Sequence, residues 1–269
     1  MTGRIRIMGI LNLTPDSFYA GSRVQEAEAF VRQFRQMTED GADVVDVGAC
    51  STRPGAPQPS EEEEWRRLEP ALKRLPDGRR LSVDTYRSGI VRRVYELLGP
   101  FMVNDISAGK LDEAMLETVA GLRLPYVAMH LKGTPETMQT QTDYGDIVAD
   151  INAYFRDFAA RAAAAGVQEW IADPGFGFSK TVAQNWELLR RLDELDTQGR
   201  PLLVGLSRKS MLYKTLGIAP EAALPATQAV HFAALERGAA WLRVHDVAPA
   251  AETARLYSTM YTSSPGAAK

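Results

Sequence analysis

Short apolar runs alternate along the chain with longer amphipathic stretches. The apolar runs are rich in β-branched residues and are bounded by turn-forming residues, so they are predicted as strands. The intervening stretches have helical periodicity: in VQEAEAFVRQFRQMTEDGA, Val24, Phe30 and Phe34 share one stripe, and the pattern ends at Gly41. The predicted strands are 6–11, 44–48, 81–84, 102–105, 126–129, 170–173, 202–205 and 241–244.

The alternation of strand and helix predicts the fold class. Strands that are apolar almost throughout favour a parallel sheet covered by helices. About eight strand–helix units in 269 residues predict a single-domain (β/α)8 TIM barrel, with an open doubly wound sheet as the alternative. No linker interrupts the pattern, so we expect one domain over residues 1–262. The last residues, 263–269, have the composition of a disordered tail.

The segments that follow the strands differ from those that precede them. The following segments are rich in polar residues, glycine and proline, as in GACSTRPGAPQP, NDISAGK, DPGFGFSK and GLSRKSM, whereas the preceding segments, such as DGAD, are short and plain. In a barrel, the segments after the strands gather at one rim, where active sites of this fold lie. We therefore expect the chemistry at the C-terminal rim of the strands.

Composition and charge limit the choice of partners and compartment. A net charge of −3 gives no general attraction to nucleic acid or anionic membranes, so a bound anion requires a local group of cations. The single cysteine, Cys50, excludes an internal disulfide and fits a reducing compartment. No apolar run approaches the roughly 20 residues that span a bilayer, and the first residues lack the apolar region of a signal peptide. We expect a cytoplasmic protein.

Cations and neutral polar groups follow several of the predicted strands. Converging arginine and lysine side chains suit a phosphate or diphosphate, although any one of them alone is better explained as a solvated surface charge. Asn12, Ser51 and Thr52 add neutral groups to the same rim. The cations are Arg53, Lys132, Lys180, Arg208, Lys209 and Arg243, with His245 beside them.

Acids end three of the apolar strands, at Asp84, Asp105 and Asp173. A carboxylate at such a position is costly unless a donor meets it, and a heterocycle with adjacent N–H and NH2 groups would supply two. Asn104 offers a further contact to a ring nitrogen or carbonyl. The alternative for each acid is that it caps a loop or pairs with an arginine. Flat apolar or cationic contacts to such a ring are available from Met129, Phe178 and Arg243.

Other catalytic schemes fit the sequence less well. One cysteine and three dispersed histidines make a zinc cluster improbable, and His231 lies inside a predicted helix, where packing explains it better than catalysis. The chain contains no nucleophile elbow and no Walker-type phosphate loop. Nothing in the sequence activates Cys50, which is interpreted as a small filler.

Taken together, these segments resemble the dihydropteroate synthases, folate-pathway enzymes of the pterin-binding barrel family. The matching pieces run in the family's order from residue 8 to residue 247. One such motif would be weak evidence, but eight in order, one at each strand end, are specific. They are MGILNLTPDSF, VDVGACSTRPGA, SVDTYR, NDISAG, MHLKGTPETMQ, DPGFGFSK, GLSRKS and LRVHDV.

The resemblance implies a reaction and a set of roles. In the reaction, 4-aminobenzoate displaces diphosphate from (7,8-dihydropterin-6-yl)methyl diphosphate, which gives 7,8-dihydropteroate. The resemblance also implies a homodimer and a magnesium ion that is bound by Asn12 and by the substrate's diphosphate. The implied catalytic residues are Asp84, Asp173, Lys209 and Arg53. The implied pterin ligands are Thr52, Asp84, Asn104, Asp173 and Lys209, with Arg243 and His245 at the diphosphate and Ser210 at the aminobenzoate.

Two departures from the family pattern keep other functions open. Ala20 stands where many relatives have an aspartate in the first mobile loop, and Cys50 stands where a glutamate is usual in the second loop, which carries Arg53. These changes motivate a pterin-binding paralogue without catalysis as an alternative. A methyltetrahydrofolate–corrinoid methyltransferase, which is similar in barrel and pterin pocket, is a second alternative, but it would need no diphosphate site.

Overall fold

The computed structural model describes residues 4–13, 23–50 and 59–262, in which strands and helices alternate. The strands are β1 (Arg6–Asn12), β2 (Val44–Gly48), β3 (Leu81–Asp84), β4 (Met102–Asp105), β5 (Tyr126–Met129), β6 (Trp170–Asp173), β7 (Leu203–Val204) and β8 (Trp241–Val244). The helices are α1 (Arg23–Glu39), α2 (Glu61–Leu72), α3 (Ser88–Leu98), α4 (Met115–Leu122), α5 (Ile147–Ala165), α6 (Val182–Arg190), α7 (Ser210–Leu216), α8 (Leu224–Glu236) and α9 (Val247–Thr262).

The strands form one parallel sheet in the order β6-β5-β4-β3-β2-β1-β8-β7. A parallel bridge between Ala172 and Leu202, with the Ala172 N–H donating to the Pro201 carbonyl at 3.0 Å, joins the two ends of the sheet. The predicted (β/α)8 TIM barrel is therefore confirmed, and the open doubly wound alternative is wrong. Strand β7 is shorter than the predicted run 202–205, and Leu202 takes part only in this isolated bridge.

Alternation along the strands separates two apolar regions. In β2, Val45 and Val47 point outward and join the large core between strands and helices. Met8 and Val127, with Ile171 and Leu203, point inward and fill the barrel below the rim. Each such side chain stabilises the fold by about 2 kcal/mol through burial. This apolar plug leaves only the upper part of the barrel interior for polar chemistry.

Helix ends follow the chemistry that the sequence predicts. The Ser60 hydroxyl caps α2 by accepting from the Glu63 N–H at 3.2 Å, and four glutamates in the first turn complement the helix dipole. Thr181 and Gln184 form a capping box at the start of α6. The long helix α5 ends at Gly166, which adopts a left-handed conformation. The caps at Ser60 and Thr181 end the segments that follow β2 and β6 at the rim, whereas Gly166 starts the short segment that leads back to β6 on the opposite side.

Three predictions fall outside the described residues. The two predicted mobile loops include residues 14–22 and 51–58, and the predicted tail is 263–269; none of these is described. The domain limits 1–262 therefore stay a prediction. Among the described helices, none has the length and apolar character needed to cross a membrane.

Candidate active site

A pocket opens at the C-terminal end of the barrel strands, with about 350 Å³ of atom-free space that includes space open to solvent. It contains seven of the residues that the sequence marks as substrate-binding, contributed by the ends of five strands and by the loops that follow them. Residues that are far apart in the chain, from Asp84 to Arg243, thus meet in one pocket, as expected for this rim. The lining comprises Asp84, Asn104, Ile106, Met129, Asp173, Gly175, Phe176, Phe178, Gly205, Lys209 and Arg243.

Polar groups at the bottom of the pocket form one network around Arg243 of β8. Its Nε donates to Oδ2 of Asp46 at 2.8 Å, and its Nη2 lies 2.7 Å from the same oxygen and 2.8 Å from Oδ2 of Asp84. The Nδ2 of Asn104 also donates to Asp46 Oδ2, at 2.8 Å. The guanidinium therefore neutralises buried carboxylates as well as facing the pocket, a role that the predicted diphosphate contact did not include.

Burial raises the pKa of Asp84 to about 7, despite the opposing effect of the Arg243 guanidinium. The nearby carboxylate of Asp46 raises it further because two negative charges repel. Asp173 also has a raised pKa, chiefly through burial, although the Gly175 N–H and the cations of the pocket oppose it. Both acids are buried at strand ends. One oxygen of each, Oδ1 of Asp84 and Oδ2 of Asp173, has no protein donor among the described residues, so each acid is suited to accept a hydrogen bond from a ligand.

The segment after β6 turns sharply to expose Asp173. The Gly175 N–H donates to Asp173 Oδ1 at 2.8 Å, which orients the carboxylate. Gly175 has a φ of +70°, and a Cβ at this position would lie 2.2 Å from the carbonyl oxygen of His130. Only glycine fits such an approach of two backbones, which accounts for the first glycine of DPGFGFSK.

Lys209 and Phe178 form one wall of the pocket. The Lys209 Nζ lies 4.4 Å from the centroid of the Phe178 ring, within the range of a cation–π contact. A Cβ on Gly177 would lie 3.0 Å from the Lys209 Cδ, so this second glycine makes room for the lysine stem. Burial lowers the pKa of Lys209 to about 8, with a further decrease from Arg243. Among the described residues Lys209 forms no ion pair, which leaves its ammonium group for a ligand.

The pocket also has an apolar wall. Met129 is buried beside Ile106 in a small cluster that also includes Leu131 and Met138, with Phe178 packed against it. Met129 and Phe178 thus belong to the same cluster, as the sequence suggested for residues that contact a flat ring. A pocket with one apolar wall and several convergent polar groups is typical of a small-molecule site.

Three of the predicted rim cations are occupied elsewhere. Lys180 is buried, and its Nζ donates to the carbonyls of Gly175 and Phe178 at 3.0 and 3.1 Å and lies 3.1 Å from Nδ1 of His130. Burial lowers its pKa to about 7. Lys180 therefore holds the loop together from inside, and the prediction that it is a rim cation for an anion is wrong. The carbonyls that it binds face inward because the glycines reverse the chain.

Arg208 and Lys132 also have protein partners. Arg208 makes a two-point contact with Asp246, through Nε at 2.9 Å and Nη2 at 2.8 Å. The Lys132 Nζ donates to the Asp143 carbonyl at 2.6 Å and lies 3.8 Å from the centroid of the Tyr144 ring. Neither residue lines the pocket. Because their charged groups already have partners in the protein, Arg208 and Lys132 are not part of the predicted anion site.

Asp105 does not face the pocket, in contrast to the other two strand-end acids. Its Oδ1 accepts from the N–H and hydroxyl of Ser107 at 2.7 Å, and its Oδ2 accepts from the Gly109 N–H at 2.8 Å and the Tyr126 hydroxyl at 2.5 Å. With every acceptor satisfied inside the protein, Asp105 caps the loop after β4. The alternative of a loop-capping acid is thus correct at this position.

His245 and Ser210 lie next to the pocket residues. The backbone N–H of His245 donates to Ser207 Oγ at 3.2 Å, and its Nδ1 lies 3.1 Å from the same hydroxyl. When the hydroxyl donates to Nδ1, the proton of the neutral ring is on Nε2, where it can meet an anion. Burial and the positive charges of Arg243 and Lys209 lower the pKa of His245. Ser210 is the first residue of α7 and follows Lys209 directly.

Asn12 ends β1 at the same rim, where it is exposed. A Cβ on Gly48 would lie 3.4 Å from Asn12 Oδ1 and 3.2 Å from Asp84 Cβ, so the missing side chain leaves a gap between these two residues. Among the described residues no group of three or more His, Cys, Asp or Glu side chains could hold a metal ion. One amide oxygen suits a magnesium ion that takes its other ligands from phosphate and water. Thr52 and Arg53 lie outside the described residues.

Asp46, in the network beneath the pocket, and Arg87, beside Cys50, were not predicted from the sequence. Asp46 stands mid-strand in VVDVG, and the feature that could have identified it is an acid at an inward position of an apolar strand.

Arg87 forms an ion pair with buried Glu64, and its guanidinium lies 3.7 Å from the sulfur of Cys50 and donates to the Pro59 carbonyl at 2.5 Å. Burial raises the pKa of Cys50, as does the Glu64 carboxylate. The thiol therefore stays protonated, in agreement with its interpretation as an unreactive filler.

Comparisons with known proteins agree with this geometry. The sequence matches the pterin binding enzyme family over residues 8–245. It is 38% identical over 263 residues to a dihydropteroate synthase of a Synechocystis strain, with 96% of this chain and 91% of that protein covered.

Solved structures give the same result. The fold is similar to Xanthomonas albilineans dihydropteroate synthase with 4-aminobenzoic acid, with a TM-score of 0.87, 37% identity and coverage of 97% of this chain and 94% of that one. It is also similar to a sulfonamide complex of the Yersinia pestis enzyme, with a TM-score of 0.89, 36% identity and coverage of 97% and 95%. The chain therefore belongs to the pterin binding enzyme family and, within it, to the dihydropteroate synthases of folate synthesis.

Proposed function

We propose that the pocket between Asp84, Asp173 and Lys209 is where this chain joins (7,8-dihydropterin-6-yl)methyl diphosphate to 4-aminobenzoate. The reaction forms a C–N bond, releases diphosphate and yields 7,8-dihydropteroate. The observation that carries the proposal is the meeting of two buried carboxylates, one amide and one unpaired ammonium in a single pocket with an apolar wall. Such a set of groups matches a flat heterocycle with a polar edge.

The pterin ring is held by its edge and by its faces. Asp84 and Asp173 accept hydrogen bonds from ring N–H and amino groups, and Asn104 adds a further contact between them. Lys209 donates to the opposite, carbonyl-bearing edge. Its ammonium group supports this role because it lines the same pocket and has no ion-pair partner among the described residues. Met129 and Phe178 contact the faces of the ring.

The diphosphate arm points towards the rim. Arg243 has one guanidinium nitrogen, Nη1, that is not bonded to Asp46 or Asp84, and His245 offers Nε2. Both groups contact the leaving group and stabilise the charge that grows on it. Anion binding also raises the pKa of His245, since a proton on the ring then gains a partner. The predicted contribution of Arg53 and Thr52, which lie outside the described residues, stays a prediction.

The ionised carboxylates assist the departure of diphosphate from the pterin side. When the bond to the leaving oxygen breaks, positive charge develops on the exocyclic methylene carbon that is attached to the ring, and it spreads into the electron-rich pterin. Asp84 and Asp173, in their ionised form next to the ring, stabilise that charge. The weak aniline nucleophile then needs to be positioned more than activated, and Ser210 at the start of α7 contributes to that position.

Magnesium is the proposed cofactor, and Asn12 is the protein residue that would hold it. The exposed amide oxygen at the end of β1 and the space left by Gly48 support this assignment. When bound, the ion supplies positive charge to the departing diphosphate. A chain without a carboxylate cluster at this point would depend on the substrate's own oxygens for the remaining ligands.

We further propose a cytoplasmic homodimer. The single cysteine supports a reducing compartment. Leu256 and Met260, one turn apart on α9 and each 65% exposed, form an apolar strip on a helix away from the rim, which supports association of two copies. Sedimentation of the wild type and of the Leu256→Glu variant tests the dimer: a monomeric wild type would contradict it.

A coupled assay for diphosphate release tests the proposed reaction. Purified protein with both substrates and magnesium is expected to release diphosphate and to form 7,8-dihydropteroate in equal amounts. Pterin binding without turnover would instead select the catalytically inactive paralogue that Ala20 and Cys50 suggested. The methyltransferase alternative receives no support from the relatives reported above, all of which are dihydropteroate synthases.

A further inference from the structure

Asp46 lies beneath the pocket and has no contact with its open space. It is fully buried in β2, at an inward position two residues before the strand ends. One of its oxygens, Oδ2, receives the Nε and Nη2 of Arg243 at 2.8 and 2.7 Å and the Nδ2 of Asn104 at 2.8 Å. The other oxygen, Oδ1, has no hydrogen-bond partner among the described residues. This arrangement ties two pocket residues to one carboxylate oxygen.

The contact with Asp46 determines how the Asn104 amide is turned. A carboxylate oxygen can only accept a hydrogen bond, so the NH2 group of Asn104 must face Asp46. The amide oxygen of Asn104 is then the polar atom left for the pocket, which Asn104 lines. An amide without such a partner could present either its oxygen or its nitrogen to a ligand.

The pocket therefore has a fixed order of acceptors and donors. Asp84 and Asp173 present carboxylate oxygens on either side of Asn104, and Asn104 presents an amide oxygen between them. The Nε and Nη2 of Arg243 donate to Asp46 and Asp84, so these two donors are not available to a ligand at this edge. A ligand that fits must bring N–H or NH2 donors to all three positions.

We infer that Asp46 is a positioning residue that sets the hydrogen-bond polarity of the pocket, by holding Asn104 with its oxygen towards the ligand. The inference rests on the proposed function, in that the ligand is the pterin. It goes beyond that function because Asp46 does not touch the substrate, yet selects for rings whose edge donates hydrogen bonds at the Asn104 position.

The position of Asp46 in the barrel explains why this residue and no neighbour can do so. Its strand, β2, lies between β8, which carries Arg243, and β4, which carries Asn104, with β1 and β3 intervening. A side chain that points inward from β2 reaches both residues across the barrel interior. Ser82, its partner in the register of β3, also points inward, but its hydroxyl has no hydrogen-bond partner among the described residues and so binds neither Arg243 nor Asn104.

The Asp46→Asn variant tests the inference. The new amide can offer oxygen or nitrogen to Asn104, so the orientation of Asn104 is no longer fixed. We expect the dissociation constant for 6-hydroxymethyl-7,8-dihydropterin, measured by calorimetry, to rise by about tenfold or more, the cost of mismatched buried polar groups. The KM for 4-aminobenzoate should change by less than about twofold, because that substrate does not meet Asn104.

The exchange variant, Asp46→Asn with Asn104→Asp, separates polarity from general structural damage. Its residue 104 is a carboxylate, which again presents only acceptors to the pocket, while the amide at 46 can donate to it and accept from Arg243. We expect this variant to bind the pterin more tightly than Asp46→Asn alone. Ser82→Ala, at the neighbouring inward position, is the matched control and should bind like the wild type.

The outcomes distinguish the inference from the proposed function. A wild type that fails to bind the pterin contradicts the proposed function itself. A wild type that binds, with Asp46→Asn at the same affinity or with an exchange variant no better than the single variant, overturns the role of Asp46. Should Asp46→Asn not fold, as judged by thermal unfolding, the exchange variant decides alone: it must bind within about tenfold of the wild type.

Discussion

The Lys209 Nζ lies 4.4 Å from the centroid of the Phe178 ring, and no carboxylate among the described residues is in ion-pair distance of it. Three other predicted rim cations have carboxylate or carbonyl partners: Lys132, Lys180 and Arg208. Lys209 is therefore the cation that is available to a ligand. Its ammonium group contacts only the face of a ring, and it can replace that contact with a stronger, charge-assisted hydrogen bond to the ligand.

Removal of this ammonium group should weaken pterin binding. For Lys209→Ala we expect a rise of about ten- to a hundredfold in the dissociation constant for the pterin, since a charge-assisted hydrogen bond contributes about 1.5–3 kcal/mol. Lys132→Ala, which removes a cation outside the pocket, is the control and should leave the affinity unchanged. Unaltered pterin affinity of Lys209→Ala in calorimetry would reject the role of Lys209.

Asp84→Asn should also weaken pterin binding, and by a different route. The amide keeps the shape of the carboxylate but loses its charge and places an NH2 group where the ligand and Arg243 both donate. We expect at least about a tenfold loss of affinity with little change in the unfolding temperature, because an amide oxygen can still accept from Arg243. Equal affinity of the variant and the wild type, measured under the same conditions, contradicts this prediction.

Gly175→Ala should disrupt the loop that presents Asp173. The added methyl group would lie 2.2 Å from the His130 carbonyl oxygen, and the residue has a positive φ. Gly199 has a similar φ of +72° but open space around it, so Gly199→Ala carries the conformational strain of about 1–2 kcal/mol without the collision. We expect Gly175→Ala to lose more free energy of unfolding than Gly199→Ala and to bind the pterin weakly. Equal losses of unfolding free energy in the two variants would contradict a cost of the collision at Gly175.

His231 should make the protein less stable in mild acid. The ring is fully buried in α8, its Nε2 has no partner among the described residues, and burial lowers its pKa to about 4. In the unfolded chain a histidine has a pKa of about 6.5, so unfolding takes up a proton between these values. The stabilising effect of the neutral ring is complete above about pH 6.5 and is lost as the pH falls towards 4.

Substitution of this histidine gives the measurement. Between pH 7 and pH 5 the wild type should lose about 2 kcal/mol of unfolding free energy through His231 alone. His231→Phe, which keeps a ring but does not titrate, should show a correspondingly smaller loss in urea titrations at the two pH values. Parallel losses in both proteins would mean that His231 does not couple folding to pH.

Sulfonamides should compete with 4-aminobenzoate and not with the pterin. They mimic the aromatic amine, and the Yersinia pestis relative has been solved in a sulfonamide complex. We expect steady-state inhibition to be competitive against 4-aminobenzoate. Inhibition that is noncompetitive against this substrate would argue that the aminobenzoate lies elsewhere than beside Ser210.

Local patterns predicted the strands and the rim well because their causes are local. The end of β3 at Asp84 and the end of β6 at Asp173 follow from apolar runs that stop at an acid, and their gathering at one rim follows from parallel strands. The glycines of DPGFGFSK indicated a close backbone approach, and the structure assigns it to the His130 carbonyl. The eight strand positions needed only small changes, at the end of β1 and in β7.

Partner choice could not be predicted in the same way. Asp105 and Asp173 both end strands. Only the structure shows that Asp105 accepts hydrogen bonds from Ser107, Gly109 and Tyr126, whereas Asp173 lines the pocket and can meet a ligand. Lys180 was predicted as a rim cation, but in the structure its ammonium group points into its own loop and donates to the Gly175 carbonyl. Hydrogen-bond partners depend on distances between segments, and spacing along the chain does not contain those distances.

The order of the amino acids by itself determined the barrel, its active rim and the family of its chemistry, because period, turn residues and motifs all act over a few positions. The tertiary structure alone decided which polar groups stay available. Asp46 finds Asn104 58 residues away and Arg243 197 residues away, and these contacts exist only once the barrel closes and brings inward-facing strand positions together.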